Sequence, residues 1–113
     1  MLAANRDFVR RRPAATKRVI QAFLKAADLC ANAPEQTART LIEGGFTDRY
    51  EYALQTFNEN PYGGWRDYDA KDSVRFYAAA AARSRLRQIE PAKGYRRGTD
   101  FRFFDEVKRE LKA

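Results

Sequence analysis

Apolar residues recur along most of the chain at intervals of three and four positions, the spacing that places side chains on one face of an α-helix. No stretch shows the sustained apolar–polar alternation of a half-buried strand, and β-branched residues are few. Prolines and paired glycines divide the pattern into about six segments. The sequence therefore predicts an all-α chain of about six helices, forming a single domain over residues 1–113.

The first two predicted helices lie in the N-terminal part of the chain. The first runs from about Ala3 to Arg11, with Phe8 as its main apolar contact. Pro13 suits the first turn of the second helix, which should end near Asn32. That helix is predicted to bury one apolar stripe and to turn its charged residues largely to the other side. The stripe comprises Val19, Ile20, Phe23, Leu24, Ala27 and Cys30, and the other side carries Lys17, Arg18, Gln21, Lys25 and Asp28.

The third and fourth predicted helices are separated by a glycine pair. Pro34 belongs to the first turn of the third helix, and Gly44 and Gly45 allow the left-handed backbone of a C-terminal cap. Thr47 is the predicted cap of the fourth helix, "DRYEYALQTFNE", which ends at Asn60–Pro61. The predicted inward residues are Ala38, Leu41 and Ile42 on the third helix and Tyr50, Leu54 and Phe57 on the fourth.

The last two predicted helices flank a basic loop, "AKGYRRG". The fifth begins at Asp69 or at Lys71–Asp72 and runs to Ile89, before Pro91. The last, "FRFFDEVKRELKA", is capped by Thr99 or Asp100. Predicted inward residues are Val74, Tyr77, Ala78, Ala81, Leu86 and Ile89 on the fifth helix and Phe101, Phe104, Val107 and Leu111 on the last.

Composition agrees with a globular chain, since 44% of the 113 residues are hydrophobic and 33% are charged. No stretch approaches the roughly 20 apolar residues that a membrane span needs. The start, "MLAANRDFVRRRPAATKR", lacks the apolar region of a secretory signal. It is rich in arginine, as transit peptides are, but we interpret it as the basic face of a helix.

The chain has no histidine and one cysteine, which narrows the chemistry that it can perform. Zinc sites of Cys and His, Ser–His–acid triads and Cys–His nucleophiles are excluded. The glycine pairs in "EGGF" and "YGGW" lack the lysine and hydroxyl residue of a phosphate-binding loop, and "DYDAKD" lacks the glycine and glutamate of a calcium loop. Cys30 is predicted to be a buried, inert thiol. No catalytic residue, metal site or cofactor is predicted, so we expect a protein that is not an enzyme.

Several segments in order resemble one family. They are "ATKRVIQAFLKAADLCA", "PEQTARTLIEGGFTDRYEYALQT", "PYGGWRDYDAKDSVRFYA" and "GTDFRFFDEVKREL". Together, from about residue 3 to residue 112, they resemble the C-terminal part of solute-binding proteins of ABC importers of the nitrate, sulfonate and taurine type. The segments are also similar to thiamine-precursor synthase proteins.

The resemblance implies a helical fragment of the type II periplasmic-binding-protein α/β fold. Proteins of this family close two lobes on a small solute, deliver it to a membrane permease, and are periplasmic or lipid-anchored. Two lobes need about 300 residues, so the chain matches only the C-terminal part, and we expect it not to bind solute alone. Met1 would then be an internal methionine of a longer frame or the start of a truncated gene. The family implies a periplasmic location, whereas the lack of a signal leaves a cytoplasmic one open.

Two expectations follow for binding. Because the helices would lack the sheet on which the family packs them, we expect a homo-oligomer, most simply a two-fold dimer with or without exchanged helices. Within "ENPYGGWRDYD", the candidates for contacting a small anion or a planar ring are Tyr62, Trp65 and Arg66. The favoured alternative is that Trp65 and Tyr68 only anchor the connection between the fourth and fifth helices.

Charge supports a rival function. The net charge of +7 divides into +5 over residues 1–31, −4 over 32–69 and +6 over 70–113. Two basic blocks suit a small helical protein that binds nucleic acid or an acidic protein partner. No recognition helix is evident, so nucleic-acid binding is the less favoured interpretation, and an adaptor that contacts a full-length relative is a third.

Overall fold

The computed structural model describes residues 2–83 and 98–112, and every regular element in those ranges is helical. The predicted all-α class with six α-helices is therefore confirmed for this part of the chain. Predictions at Leu86, Ile89 and Pro91, and the loop before Gly98, lie outside the described residues. The helices are α1 (Arg6–Arg11), α2 (Pro13–Asn32), α3 (Pro34–Glu43), α4 (Tyr50–Glu59), a 3-10 helix (Tyr62–Arg66), α5 (Ala70–Arg83) and α6 (Arg102–Lys112).

The starts of the helices follow ordinary capping chemistry. Pro13 and Pro34 each occupy the first turn of their helix, as predicted. The carboxylate of Asp69 accepts a hydrogen bond from the backbone N–H of Lys71 at 2.9 Å, and that of Asp100 accepts one from Arg102 at 3.2 Å. Asp69 therefore precedes the first residue of α5, at the earlier of its two predicted starts, and Asp100, one of the two predicted caps of α6, accepts from the first residue of that helix.

Two predicted starts are wrong. The first helix begins at Arg6 rather than Ala3, because the Asn5 side chain accepts from the N–H of Asp7 at 2.8 Å and caps it there. The fourth begins at Tyr50, because the Thr47 hydroxyl is used within the preceding turn, where it accepts from the N–H of Arg49 at 3.3 Å.

The end of α3 is a Schellman motif. Gly45 has a φ of 71°, its N–H donates to the Ile42 carbonyl at 3.0 Å, and the N–H of Phe46 donates to the Leu41 carbonyl at 3.0 Å. The left-handed glycine cap that the sequence predicts is therefore confirmed.

The core lies between α2, α6 and the 3-10 helix. Leu24, Trp65 and Val107 are buried together, one from each element. The partly buried residues packed against them are Ile20, Ala27, Phe104 and Leu111. The stripe predicted for the last helix is confirmed at Phe104, Val107 and Leu111, and Ala38 is fully buried on α3 as predicted.

An ion-pair triad fixes how α2 and α6 pack. Lys17 Nζ lies 2.6 Å from a carboxylate oxygen of Glu106 and 2.7 Å from one of Glu110. The second turn of α2 therefore lies against the middle and the C-terminal turn of α6, and Leu24, farther along α2, is buried in the same cluster as Val107.

Several predicted inward residues are exposed. Val19 and Phe23 of α2 are 47% and 56% exposed, and Tyr77 of α5 is 60% exposed, so these three assignments are wrong. Phe8, the contact predicted for α1, is also exposed at 48%. The three- and four-residue spacing of apolar residues identifies the apolar face of each helix, but the elements packed against that helix cover only part of the face. Within the described ranges, no helix combines the length and hydrophobicity needed to cross a membrane.

Candidate functional site

The 3-10 helix places the predicted ligand-binding residues against α2. Pro61 follows the end of α4, and the turn closes with hydrogen bonds from Gly64 N–H to the Pro61 carbonyl at 2.9 Å and from Asp67 N–H to the Gly64 carbonyl at 3.1 Å. Such short three-residue turns suit a connection that must redirect the chain between two helices. Trp65 and Arg66 then occupy its last turn, beside α2.

Asp28 of α2 binds both of these side chains. The Trp65 indole Nε1 donates to Asp28 Oδ1 at 2.9 Å. The two terminal guanidinium nitrogens of Arg66 donate to Asp28 Oδ1 at 2.6 Å and Oδ2 at 2.9 Å, which is the paired fork geometry of a strong arginine–carboxylate contact. The guanidinium carbon of Arg66 also lies 4.1 Å from the centre of a Trp65 ring. We call Asp28, Trp65 and Arg66 the α2 clasp.

The electrostatics of the α2 clasp favour its charged form. The hydrogen bonds from Arg66, followed in importance by partial burial that acts in the opposite direction and by the bond from Trp65, lower the pKa of the Asp28 carboxyl. The same contact raises the pKa of Arg66. Asp28 and Arg66 side chains retain 24% and 36% of their exposure, so the pair is at the edge of the core rather than within it.

The three candidate ligand-binding residues make different contacts. Trp65 and Arg66 meet on Asp28, and Trp65 is buried in the core with 9% exposure. Tyr62 is half-buried, and its ring packs edge-on against Phe57 of α4 with centroids 5.7 Å apart. The structure therefore joins two of the candidates in one cluster and directs the third towards a different helix.

Trp65 and Tyr68 have the anchoring contacts that the sequence predicts. Trp65 fastens the connection to α2, as its burial shows. The Tyr68 ring packs edge-on against Phe104 of α6 with centroids 6.5 Å apart, and its hydroxyl bonds to the Ser73 hydroxyl at 2.8 Å. Tyr68 nevertheless stays 43% exposed, so it contributes less to the core.

Sequence reasoning missed Asp28 and Lys17, which it assigned to the solvent side of α2. Asp28 follows Leu24 by four residues and Lys17 precedes it by seven, so both share the face of Leu24 on a helix. A carboxylate near the C-terminal end of a helix is also disfavoured by the dipole. Together these two signals could have indicated that Asp28 needs a partner.

Other chemistry in the described residues is sparse. No group of three or more Cys, Asp or Glu side chains is placed to hold a metal ion in the described ranges. Cys30 is half-buried rather than buried, and desolvation raises the pKa of its thiol, which agrees with the predicted low reactivity. A shallow surface depression on α5 is lined by Phe76, Ala79, Ala80 and Arg83 and includes no residue of the α2 clasp.

Comparison of the chain with models of protein families, with curated proteins and with solved structures gave no match.

Proposed function

We propose that this chain is the C-terminal helical part of a solute-binding protein of an ABC importer, of the group that carries nitrate, sulfonates, taurine or related small solutes. In this function the helices cover the rest of the binding protein and catalyse no reaction. The complete protein would deliver its solute to a membrane permease. The four ordered segments quoted above support the family.

The observation that carries the proposal is the apolar surface of the described helices. Val19, Phe23 and Leu29 of α2 are 47 to 60% exposed, and Phe76 and Tyr77 of α5 are 68% and 60% exposed. Monomeric soluble domains seldom leave so many large apolar side chains on neighbouring turns uncovered. Helices that normally pack on a sheet would have such surfaces when the sheet is missing.

The α2 clasp bears on how solute would bind. Both terminal nitrogens of Arg66 already donate to Asp28. An anionic solute would therefore have to displace a carboxylate that is held in fork geometry, and the buried indole of Trp65 offers its N–H to the same carboxylate. This supports a positioning role for the α2 clasp, and in the proposed function the main solute contacts come from parts of the family fold that this chain does not match.

The genomic sequence immediately upstream of the Met1 codon tests the proposal. We expect an in-frame continuation that encodes the strands of two lobes and a signal peptide. An in-frame stop codon followed by a separate ribosome-binding site would contradict it. Calorimetric titration of the 113-residue chain with nitrate, taurine and an alkanesulfonate should give no binding, and saturable binding of any of them would contradict the claim that the fragment does not bind solute alone.

A second candidate function is the binding of nucleic acid or an acidic protein. The contacts of Lys17 with Glu106 and Glu110 bring the second turn of α2 beside α6. The N-terminal basic block therefore lies beside α6, which belongs to the second basic block. Exposed arginines of the described residues in these regions include Arg10, Arg11, Arg12, Arg18 and Arg109.

Titration of duplex DNA at 50 and 200 mM salt separates the two functions. Binding that weakens steeply with salt, and that is lost when Arg10, Arg11 and Arg12 are changed to glutamine, would favour the second function. The matched control changes Arg39, Arg49 and Arg75 to glutamine, since these three exposed arginines lie in α3, immediately before α4 and in α5. Equal effects of the two sets would indicate only non-specific attraction, and absence of binding would favour the transport function.

A further inference from the structure

The helices α3 and α4 pack mainly on each other and lie outside the core. Within the described ranges, α3 has one buried residue, Ala38, and α4 has none. The core cluster of Leu24, Trp65 and Val107, with the side chains packed against it, comes from α2, α6 and the 3-10 helix and includes no residue of α3 or α4. We call these two helices and the turn between them, residues 34–59, the α3–α4 pair.

Polar side chains hold the α3–α4 pair only weakly to the rest of the described chain. The ion pairs that join different elements there, at Lys17 and at Asp28, connect α2 with α6 and with the 3-10 helix. The Thr37 hydroxyl of α3 lies 3.2 Å from the Leu29 carbonyl of α2, but the Ala33 carbonyl, at 2.8 Å, is its nearer acceptor. The polar contacts that fix the core therefore bypass the α3–α4 pair.

One aromatic contact joins the α3–α4 pair to the 3-10 helix in the described residues. It is the edge-on packing of Phe57 on Tyr62, with ring centroids 5.7 Å apart. The larger apolar side chains of the pair, such as Leu41, Leu54 and Phe57, are half-buried, whereas the core residues are buried. The free energy needed to open a part of a protein is lower where fewer apolar contacts are buried, so the α3–α4 pair should open more readily than the core.

We propose that the α3–α4 pair is a separate cooperative unit, which unfolds and refolds while α2, the 3-10 helix and α6 stay packed. Each of its helices has ten residues. Isolated helices shorter than about 12–15 residues are marginal in water. A pair that loses its contact with α2 therefore unfolds rather than moving away as a rigid arm.

The α2 clasp allows this opening to stay local. Asp28 precedes the α3–α4 pair in the chain, and Trp65 and Arg66 follow it. Their hydrogen bonds, at 2.6 to 2.9 Å, therefore join the two ends of the segment that opens. Because these ends are held together, the segment can unfold without separating the 3-10 helix from α2.

Hydrogen exchange of the 113-residue chain in increasing urea, followed for single amides by NMR, tests the proposal. Protection from exchange in α3 and α4 should be lower than in the middle of α2 and of α6 by about tenfold or more, with one shared dependence on urea for both helices. Equal protection in all four helices would overturn the proposal, because the chain would then open as one unit. Different urea dependences for α3 and α4, or no protection in α2 and α6, would overturn it as well.

Substitution of the aromatic contact tests what holds the unit closed. Tyr62→Ala should lower protection in α3 and α4 by about two- to tenfold, the range expected for the loss of one edge-on aromatic pair, and leave α2 and α6 unchanged. Tyr52→Ala is the matched control, since Tyr52 also lies on α4 but is 61% exposed, and it should leave all four helices unchanged.

Phe57→Leu covers the case in which Tyr62→Ala disturbs the 3-10 helix, as altered fluorescence of Trp65 would show. It removes the other ring of the pair and should act on α3 and α4 alone. Loss of protection in all four helices with Phe57→Leu would overturn the proposal. This inference goes beyond the proposed transport function, and the two can fail separately, because the upstream sequence tests that function and hydrogen exchange tests the unit.

Discussion

Asp28 joins two side chains of the 3-10 helix to α2, and it is the residue whose role differs most from its sequence-based assignment. Its four charged and polar neighbours along α2 suggested a solvated face, yet its spacing of four from Leu24 places it beside the core. The partners that make this location favourable, Trp65 and Arg66, are 37 and 38 positions away. A pattern read within one helix cannot contain them, and this is why the α2 clasp was not predicted although Trp65 was.

We expect Asp28→Ala to destabilise the chain by about 1–3 kcal/mol, the cost of leaving the buried indole N–H of Trp65 without an acceptor. Asp28→Asn should have a smaller effect, because its amide oxygen can still accept from the indole. Urea unfolding followed by tryptophan fluorescence measures both, since Trp65 is the sole tryptophan.

Asp48→Ala is the control for that pair of variants. Asp48 is exposed and lies outside the helices, so its removal should change the unfolding free energy by less than about 0.5 kcal/mol. Equal losses for Asp28→Ala and Asp48→Ala would contradict the α2 clasp as a stabilising contact.

At the scale of the element, the glycine cap of α3 and the buried face of α6 are two features that the local sequence determines. Gly45 has a positive φ, and a Cβ there would meet no atom within 4 Å, so its conformation is the only constraint. Gly45→Ala should therefore lower stability by about 1 kcal/mol through backbone strain. Gly45→Asn should lower it less, since asparagine tolerates the left-handed region.

Gly63→Ala separates strain from the mere loss of a glycine. Gly63 does not have a positive φ, and its added Cβ would lie 4.0 Å from that of Ala31, an ordinary contact. Its substitution should be neutral or slightly stabilising in thermal unfolding. A loss as large as that of Gly45→Ala would show that the cap is not the cause.

Val107 tests the packing of α6 on α2. It is the largest side chain that is fully buried in the described ranges, and Val107→Ala should cost about 2–3 kcal/mol through lost burial and a residual cavity. Val9→Ala on α1, which is half-buried outside the core, should cost less than about 1 kcal/mol. Chemical unfolding of both variants measures these free energies, and similar losses of unfolding free energy would contradict a core between α2 and α6.

At the scale of the whole molecule, periodicity predicted the helices but not their neighbours. The stripe on α6 was correct because one partner, α2, covers it through Phe104, Val107 and Leu111. The assignments on α2 failed at Val19 and Phe23 because its apolar sector is wider than the contact with α6, and nothing within α2 indicates which edge is used. The spacing of apolar residues indicates where helices form. The fraction of each helix face that is buried depends on all the elements that pack against that helix.

The pH dependence of the stability of the fold reflects the ion pairs of Asp28 with Arg66 and of Asp100 with Arg102. Arg66 lowers the pKa of Asp28, and Arg102 lowers that of Asp100, below the ordinary value of 3.8. A carboxyl with a lowered folded pKa stabilises the fold above its unfolded pKa and loses that contribution as the pH falls through the folded value. We therefore expect the urea midpoint to be constant from pH 7 to about pH 5 and to fall below about pH 4, when measured at constant ionic strength.

Asp28→Asn identifies the share of this acid sensitivity that belongs to the α2 clasp. The variant should start with a lower midpoint at pH 7 and should fall less steeply than the wild type below about pH 4, because the titrating group is gone. At the alkaline end the sign is reversed, since Glu106 and Glu110 raise the pKa of Lys17 above 10.5 and its contribution is lost only as the pH rises through that higher value. Wild type and Asp28→Asn should therefore lose stability in parallel above pH 10 and differ only in acid, and an equally steep acid fall in both would mean that Asp28 is not held by Arg66 in solution.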